Sequence, residues 1–345
     1  MNTNNRLERK MDHLRISCKL SDGPVQTGFD DVYLIHQALP SVDWEKIDTS
    51  QTIWGKTLSF PLIINAITGG PKEAGEINKK LATIANHFSI GMAVGSQSSA
   101  LEMPFTADTF KIARKYHPKG LLIANVGAGI DKSSAIEAVE MLQADALQIH
   151  LNAAQEIFML EGDRHFSVWK ENIAEIIAAC PVPVILKEVG FGISKETAGV
   201  FYELGARWLD ISGAGGTNFI KIEEERNYKS NKTSLENWGI PTVASLLEVK
   251  KTRLPIKLIA SGGIRNGLHM LKSMVLGAEC TAAAHPFVYR SVQSPCGEND
   301  LVDMLTVWHN DFKKGMFLMG CENIRQLHEA PHVIIGNMKQ WIETR

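Results

Sequence analysis

A closed (β/α)8 barrel in one domain is the fold class predicted for this 345-residue chain. Three observations predict it. Eight apolar runs recur from residue 59 onward, each with a Gly- or Asn-rich turn or small residues at its end. Amphipathic stretches of helical length lie between many of them, and strands alternating with helices imply parallel pairing through right-handed crossovers. The runs are almost continuously apolar, so both faces of each strand are covered. Eight such units favour closure into a TIM barrel over an open doubly wound sheet.

In chain order the strand runs are "SFPLIINAITGG", "SIGMAVGSQSS", "GLLIANVGAG", "DALQIHLNAAQE", "PVPVILKEVGFG", "RWLDISGAGGT", "PIKLIASGGIRNG" and "ECTAAAHPF". The helical patterns between them include "EINKKLATIANHF", "SSAIEAVEMLQ", "NIAEIIAAC", "KETAGVFYELG" and "GLHMLKSMVLG". Residues 1–58 form an N-terminal extension and the barrel occupies about 59–320. The stretch after residue 287 holds the last barrel helix and a C-terminal helix.

Hydrophobic content of 44% and charged content of 21% fit a globular protein with a full core. The formal net charge of −2 points to neither nucleic acid nor an anionic membrane surface, so any anion site must be a local cluster. The five cysteines (Cys18, Cys180, Cys280, Cys296, Cys321) are scattered, with no C-x-x-C pair, which predicts reduced thiols rather than a disulfide frame or a zinc site. The first residues are polar rather than signal-like, and no apolar run reaches transmembrane length. A cytoplasmic protein is expected.

Barrels of this kind carry function at the C-terminal strand ends and in the loops beyond. That rule collects Thr68, Ser96, Gln97, Asn125, His150, Asn152, Gln155, Glu156, Lys187, Glu188, Ser212 and Thr217, then Gly262, Gly263, Ala283 and Ala284. In the fourth run, Gln148, His150 and Asn152 alternate with Leu147, Ile149 and Leu151 and so share one face. In a closed barrel that face lines the interior rather than meeting water. The paired glycines of "IASGGIRNG" (259–267) let backbone N–H groups approach an anion, and the helix opening near Asn266 adds its dipole. Their place after the seventh strand is the usual phosphate site of the fold. "ISGAGGTNF" is a second glycine loop, and the polar stretch beyond it, within 219–237, is a possible lid. Lys187, on an apolar strand, is a Schiff-base lysine, a partner of Glu188 or a cation beside a bound ligand. Alternation splits it from Glu188 and favours the ligand.

Several motifs in order, "RKMDH", "AITGG", "GSQ", "ANVGA", "QIHLNAAQE", "KEVGFGIS", "DISGAGGTN", "WGIPT" and "SGGIRNG", together resemble the type 2 isopentenyl-diphosphate delta-isomerases over nearly the whole chain. The resemblance implies interconversion of isopentenyl and dimethylallyl diphosphate, a step of isoprenoid biosynthesis, with FMN, Mg2+ and a reductant such as NADPH. It also implies a homo-oligomer, tetramer or octamer. It assigns FMN to Ala66, Ile67, Thr68, Ser96, Asn125, Lys187, Ser212 and Thr217, with the phosphate against Gly262, Gly263, Ile264, Ala283 and Ala284. The substrate falls to Arg9, Lys10, Ser96, His150, Asn152 and Gln155, with Mg2+ on Glu156. His150, Asn152 and Gln155 act by positioning while the reduced flavin moves the proton.

Plainer readings stand beside these. Arg9 and Lys10 are otherwise a solvated charge run, Glu156 a first-turn helix carboxylate, and His150 a core histidine. Another FMN barrel, such as a 2-hydroxy-acid oxidase, would need a base His and an Arg near the sixth loop, and "SGAGGTN" holds neither. A purine-nucleotide dehydrogenase would need a nucleophilic Cys after a central strand, whereas Cys180 and Cys280 precede strands. A phosphate-ligand sensor without catalysis is the third alternative.

Overall fold

The computed structural model describes residues 3–227, 233–293 and 297–345; Cys296 and the middle of the 219–237 stretch lie outside them. Eight strands form the barrel: β1 (Leu62–Ile64), β2 (Gly91–Ala93), β3 (Leu122–Gly127), β4 (Ala146–Leu151), β5 (Val184–Glu188), β6 (Trp208–Asp210), β7 (Lys257–Ala260) and β8 (Cys280–Ala283). They pair in parallel and in sequence order, and β8 returns to β1 through the Ala283–Ile64 register. All five helices read from the sequence are present, for example Lys72–Phe88 and Trp169–Ala179. Three begin on side-chain caps: Asp131 accepts from Ser134 N–H at 3.0 Å, Ser194 from Thr197 N–H at 3.2 Å, and Asn266 from His269 N–H at 2.8 Å. A cap of this kind stabilises a helix by about 1 kcal/mol.

Strand alternation builds the interior in layers. The inward residues Ile63, Ala93, Ile123, Ala146, Ile185 and Ile259 form an apolar lower layer, sealed from below by Ile53 and Leu58 of the hairpin Gln51–Ile53/Lys56–Leu58. Trp54 at the hairpin turn packs edge-on against Trp208, with ring centroids 4.7 Å apart. Two residues above the inward apolar positions of β1, β3, β4, β5, β6 and β7 lie Asn65, Asn125, Gln148, Lys187, Asp210 and Ser261. A greasy plug thus supports a polar floor.

Residues 1–58 do more than precede the barrel. The helix Thr3–Lys19 packs on the helices Phe219–Arg226 and His285–Gln293 beside the C-terminal strand ends. A short strand, Val32–Leu34, pairs antiparallel with His332–Ile334 near the other end of the chain. The region after residue 287 is richer than the two helices expected: it holds the rest of His285–Gln293, then Gly297–Leu318, Ile324–His328, the His332–Ile334 strand and Gly336–Thr344.

Candidate active site

The polar floor converges on one carboxylate. Asp210 is fully buried, and its Oδ2 accepts from Asn65 Nδ2 at 2.7 Å, from Gln148 Nε2 at 3.5 Å and from Lys187 Nζ at 3.1 Å. Its Oδ1 accepts from the Ser261 hydroxyl and from Ser212 N–H at 3.3 Å. Lys187 therefore has a counter-ion, supplied by β6 rather than by Glu188. It also donates to the Glu188 carbonyl at 3.0 Å. The Glu188 carboxylate turns onto its own loop, accepting from Gly190 N–H at 2.7 Å, and burial pushes it up to about 7 against the pull of Phe191 and Gly190 N–H and of Lys187.

Above the floor, His150 Nδ1 lies 2.8 Å from Asn125 Oδ1. Burial first, then the charges of Lys187 and Lys10, lower the imidazole to about 4, so the ring is neutral at pH 7. Neutral Nδ1–H donating to Asn125 leaves Nε2 an acceptor. The opposing residue is Gly127, where a Cβ would sit 3.4 Å from that Nε2. Asn152 lies just beyond the β4 ladder and turns back, donating to Glu156 Oε1 at 2.7 Å and Gln155 Oε1 at 3.3 Å. Glu156 Oε2 accepts from Asp163 N–H at 2.7 Å. No group of three or more His, Cys, Asp or Glu among the described residues could hold a metal ion. Mg2+ at Glu156 would thus need phosphate oxygens and waters for its remaining ligands.

The N-terminal helix supplies cations to the mouth. Lys10 Nζ donates to the carbonyls of Gly69 and Ser96, each at 2.8 Å, and to Ser99 Oγ at 2.9 Å. Arg9 lies 3.6 Å from Glu161, which Arg226 also grips through two guanidinium nitrogens. Arg226 in turn reaches Glu223 at 2.9 Å. Glu223 is fully buried, with His13 Nε2 at 2.7 Å and the Gln155 amide at 3.2 Å. Burial raises its pKa, but His13 and Arg226 more than offset that and hold it below the ordinary value. The first half of the expected lid is a packed helix, Phe219–Arg226, with Ile220, Ile222, Glu223 and Glu224 buried, while Ser234–Asn237 at its end is a 3-10 turn with no buried residue.

The opposite side of the mouth is built from backbone. Gly262 and Gly263 have φ of +98° and +68°. A Cβ on Gly262 would meet Gly213 O at 2.0 Å, and one on Gly263 would meet Gly215 O at 2.4 Å. The N–H groups of Gly262, Gly263, Ile264 and Ala284 find no acceptor among the described residues. Arg265 is tied to Asp22, and His285 Nε2 lies 3.1 Å from Ser17 O, so the extension reaches this side too. Ser212 holds a left-handed φ of +34°, a conformation that side-chain-bearing residues keep only under constraint.

The remaining expected residues surround the same space. Ala66 N–H donates to Asn65 Oδ1 at 2.9 Å, and Ile67 follows it in the loop after β1. Thr68 is buried with a hydroxyl that has no protein partner, as is Gln148 Oε1. Ser96 Oγ is 3.1 Å from Ser98 Oγ, and Thr217 and Ala283 end their loop and strand at the mouth. Gln97 instead ties strand to helix, bonding Asn125 N–H and Ala138 O. Asp210, Asn65, Ser261, Glu223 and His13 were not singled out from sequence. The first three sit two residues above an inward apolar position, a signal that the alternation already contained.

The chain matches the family model of FMN-dependent dehydrogenases over residues 110–334. It is 44% identical over 337 residues to the isopentenyl-diphosphate delta-isomerase of Moorella thermoacetica, spanning 98% of this chain and 96% of that one. Its identity to the enzyme of that name from Staphylococcus epidermidis is 40% over 345 residues, covering 100% and 98% of the two chains. Among solved structures, a mandelate oxidase variant with benzaldehyde superposes with a TM-score of 0.68 at 17% identity, over 95% of this chain and 98% of that one. That likeness concerns the fold. With a closed barrel, a tightly packed glycine loop after β7 and these full-length relatives, the chain belongs to the FMN-dependent isopentenyl-diphosphate delta-isomerase family.

Proposed function

We propose that this chain interconverts isopentenyl and dimethylallyl diphosphate on reduced FMN, with Mg2+ and with NADPH as the reductant. The observation that carries the flavin is a set of unfilled polar positions around one cavity mouth. Four backbone N–H groups at 262–264 and 284 lack acceptors among the described residues, and Thr68 Oγ1 and Gln148 Oε1 are buried without partners. Buried donors and acceptors are rarely left unmade, which supports a bound group at this mouth. Gly262, Gly263, Ile264, Ala283 and Ala284 would hold the FMN phosphate, while Ala66, Ile67, Thr68, Ser96, Asn125, Lys187, Ser212 and Thr217 would hold the rest.

When bound and reduced, FMN supplies a ring nitrogen that gives and takes protons at carbon, a task for which ordinary carboxylates are poorly matched. The protein binds, orients and excludes water. Arg9, Lys10, His150, Asn152 and Gln155 would receive the diphosphate, with Ser96 beside them, and Glu156 would hold Mg2+, which would offset the charge of the phosphates. His150 enters as a neutral ring with Nε2 free to accept; an arriving polyanion favours its protonation and turns Nε2 into a donor. His150, Asn152 and Gln155 position the substrate rather than move its proton. The helix Thr3–Lys19 would complete the site as a cover. We place the enzyme in the cytoplasm as a homo-oligomer, tetramer or octamer; no described helix is long and apolar enough to cross a membrane.

The test is the visible spectrum of the purified protein followed by an anaerobic isomerase assay. Flavin absorbance is expected, with conversion only after FMN is reduced. A colourless protein, or equal conversion with FMN left oxidised, refutes the reading.

A further inference from the structure

Lys187 and Asp210 form a buried ion pair, Nζ to Oδ2 at 3.1 Å. Removing two charges from water is costly, and such pairs rarely stabilise a fold better than apolar residues of the same size. This pair sits above a lower layer that is apolar throughout, so the floor had no need of it for sealing. Donors from β4, β5 and the segments after β1, β6 and β7 all reach one carboxylate: Gln148, Lys187, Asn65, Ser212 N–H and Ser261. Five donors for about four lone-pair directions leave Asp210 Oδ1 and Oδ2 no freedom to rotate.

The consequence falls on Lys187. An ammonium has three N–H donors. One meets Asp210 Oδ2 at 3.1 Å, a second meets Glu188 O at 3.0 Å, and the third has no protein acceptor among the described residues. A long lysine chain has many rotamers, and two anchors remove most of that freedom before any ligand arrives.

We propose that Asp210 is a positioning residue for the flavin: gripped from five segments of the barrel, it fixes Lys187 Nζ so that its remaining N–H serves the bound cofactor. This rests on the reading that FMN occupies the mouth. Asp210 does not itself touch the ligand in this scheme, and its effect passes through Lys187.

The experiment is a double-variant cycle of Asp210→Asn and Lys187→Met, reading FMN affinity by fluorescence titration and the potential of bound flavin by dye equilibration. In the wild-type background Asp210→Asn is expected to weaken FMN binding about tenfold and to move the potential. In the Lys187→Met background it should change neither further, because the lysine through which Asp210 acts is gone. Equal shifts in both backgrounds overturn the proposal, as do unchanged affinity and potential in Asp210→Asn. If Asp210→Asn does not fold, Ser261→Ala removes one anchor and keeps both charges. It should give a smaller shift that again vanishes without Lys187, and no shift overturns the proposal. A wild-type chain that binds no FMN fails at the first titration, which separates the fall of the flavin reading from the fall of this one.

Discussion

The two sides of the barrel mouth are built from different materials. The β7–β8 side uses backbone: Gly262 and Gly263 in left-handed conformations, packed within 2.0 to 2.4 Å of where a Cβ would strike Gly213 O and Gly215 O. The β4 side uses side chains, and these are already paired with one another along Arg9, Glu161, Arg226, Glu223, His13 and Gln155. Backbone amides need no counter-charge and lose no rotamers, so the first side is prepared for a resident group. Paired side chains must exchange partners, so the second suits a ligand that comes and goes. On the proposed reading, the first side takes the resident cofactor and the second the transient substrate.

The strongest way to break that contrast is Gly262→Ala. Its left-handed φ and the collision with Gly213 O predict a loss of FMN affinity of about 100-fold or more (~2.7 kcal/mol), read by FMN fluorescence. Normal binding would show that backbone does not build this side. Next, His150→Ala should lower kcat/KM by about 100-fold, as for loss of one preorganised hydrogen-bonding group, with FMN affinity within about 2-fold of wild type. Loss of flavin in that variant would move His150 to the cofactor side.

Glu156→Gln is expected to raise the Mg2+ concentration for half-maximal activity by about 10-fold while the flavin spectrum stays unchanged. A spectral change would misplace Glu156. The pH dependence is subtler. His150 is depressed from 6.5 to about 4, so the unfolded chain binds more protons between those values. The stability associated with its neutral form is complete above 6.5 and is lost as pH falls toward 4. Glu188, raised from 4.5 to about 7, acts in the opposite sense, its contribution weakening as pH rises through that interval. An NMR titration of the His150 ring should show no protonation until pH nears 4 in the free protein, and a higher midpoint with inorganic diphosphate bound. An unchanged midpoint would remove His150 from the anion site. The smallest effect belongs to Arg9→Ala, whose partly exposed contact with Glu161 at 3.6 Å is worth about 0.5 kcal/mol of stability, with a several-fold rise in KM. A larger loss in thermal unfolding than in KM would make the helix Thr3–Lys19 a structural strap first.

Residues spaced by two along a strand explain how much of the site was legible. Asn125, Gln148, His150 and Lys187 could be placed on the interior because alternation in a closed barrel leaves no other face. The same rule reaches Asn65, Asp210 and Ser261, yet each lies at a strand end beside residues with louder signals. Asp210 in "DISGAGGTN" was overshadowed by its glycines. Glu223 and His13 carried no local signal at all: one looked like part of a polar run, and the other like part of a charged terminus. Their partnership spans 210 positions of chain and is a product of packing.

Strand count, glycine loop and family resemblance were legible in the sequence alone, because period and turn chemistry are local properties. Which charge answers which was decided only by the tertiary structure. Lys187 reads from sequence as a cation opposite a ligand; the fold adds Asp210 beneath it, since closing the barrel brings β5 and β6 into register at those two residues. Electrostatic partners are selected by distance in space, and spacing along the chain does not encode it.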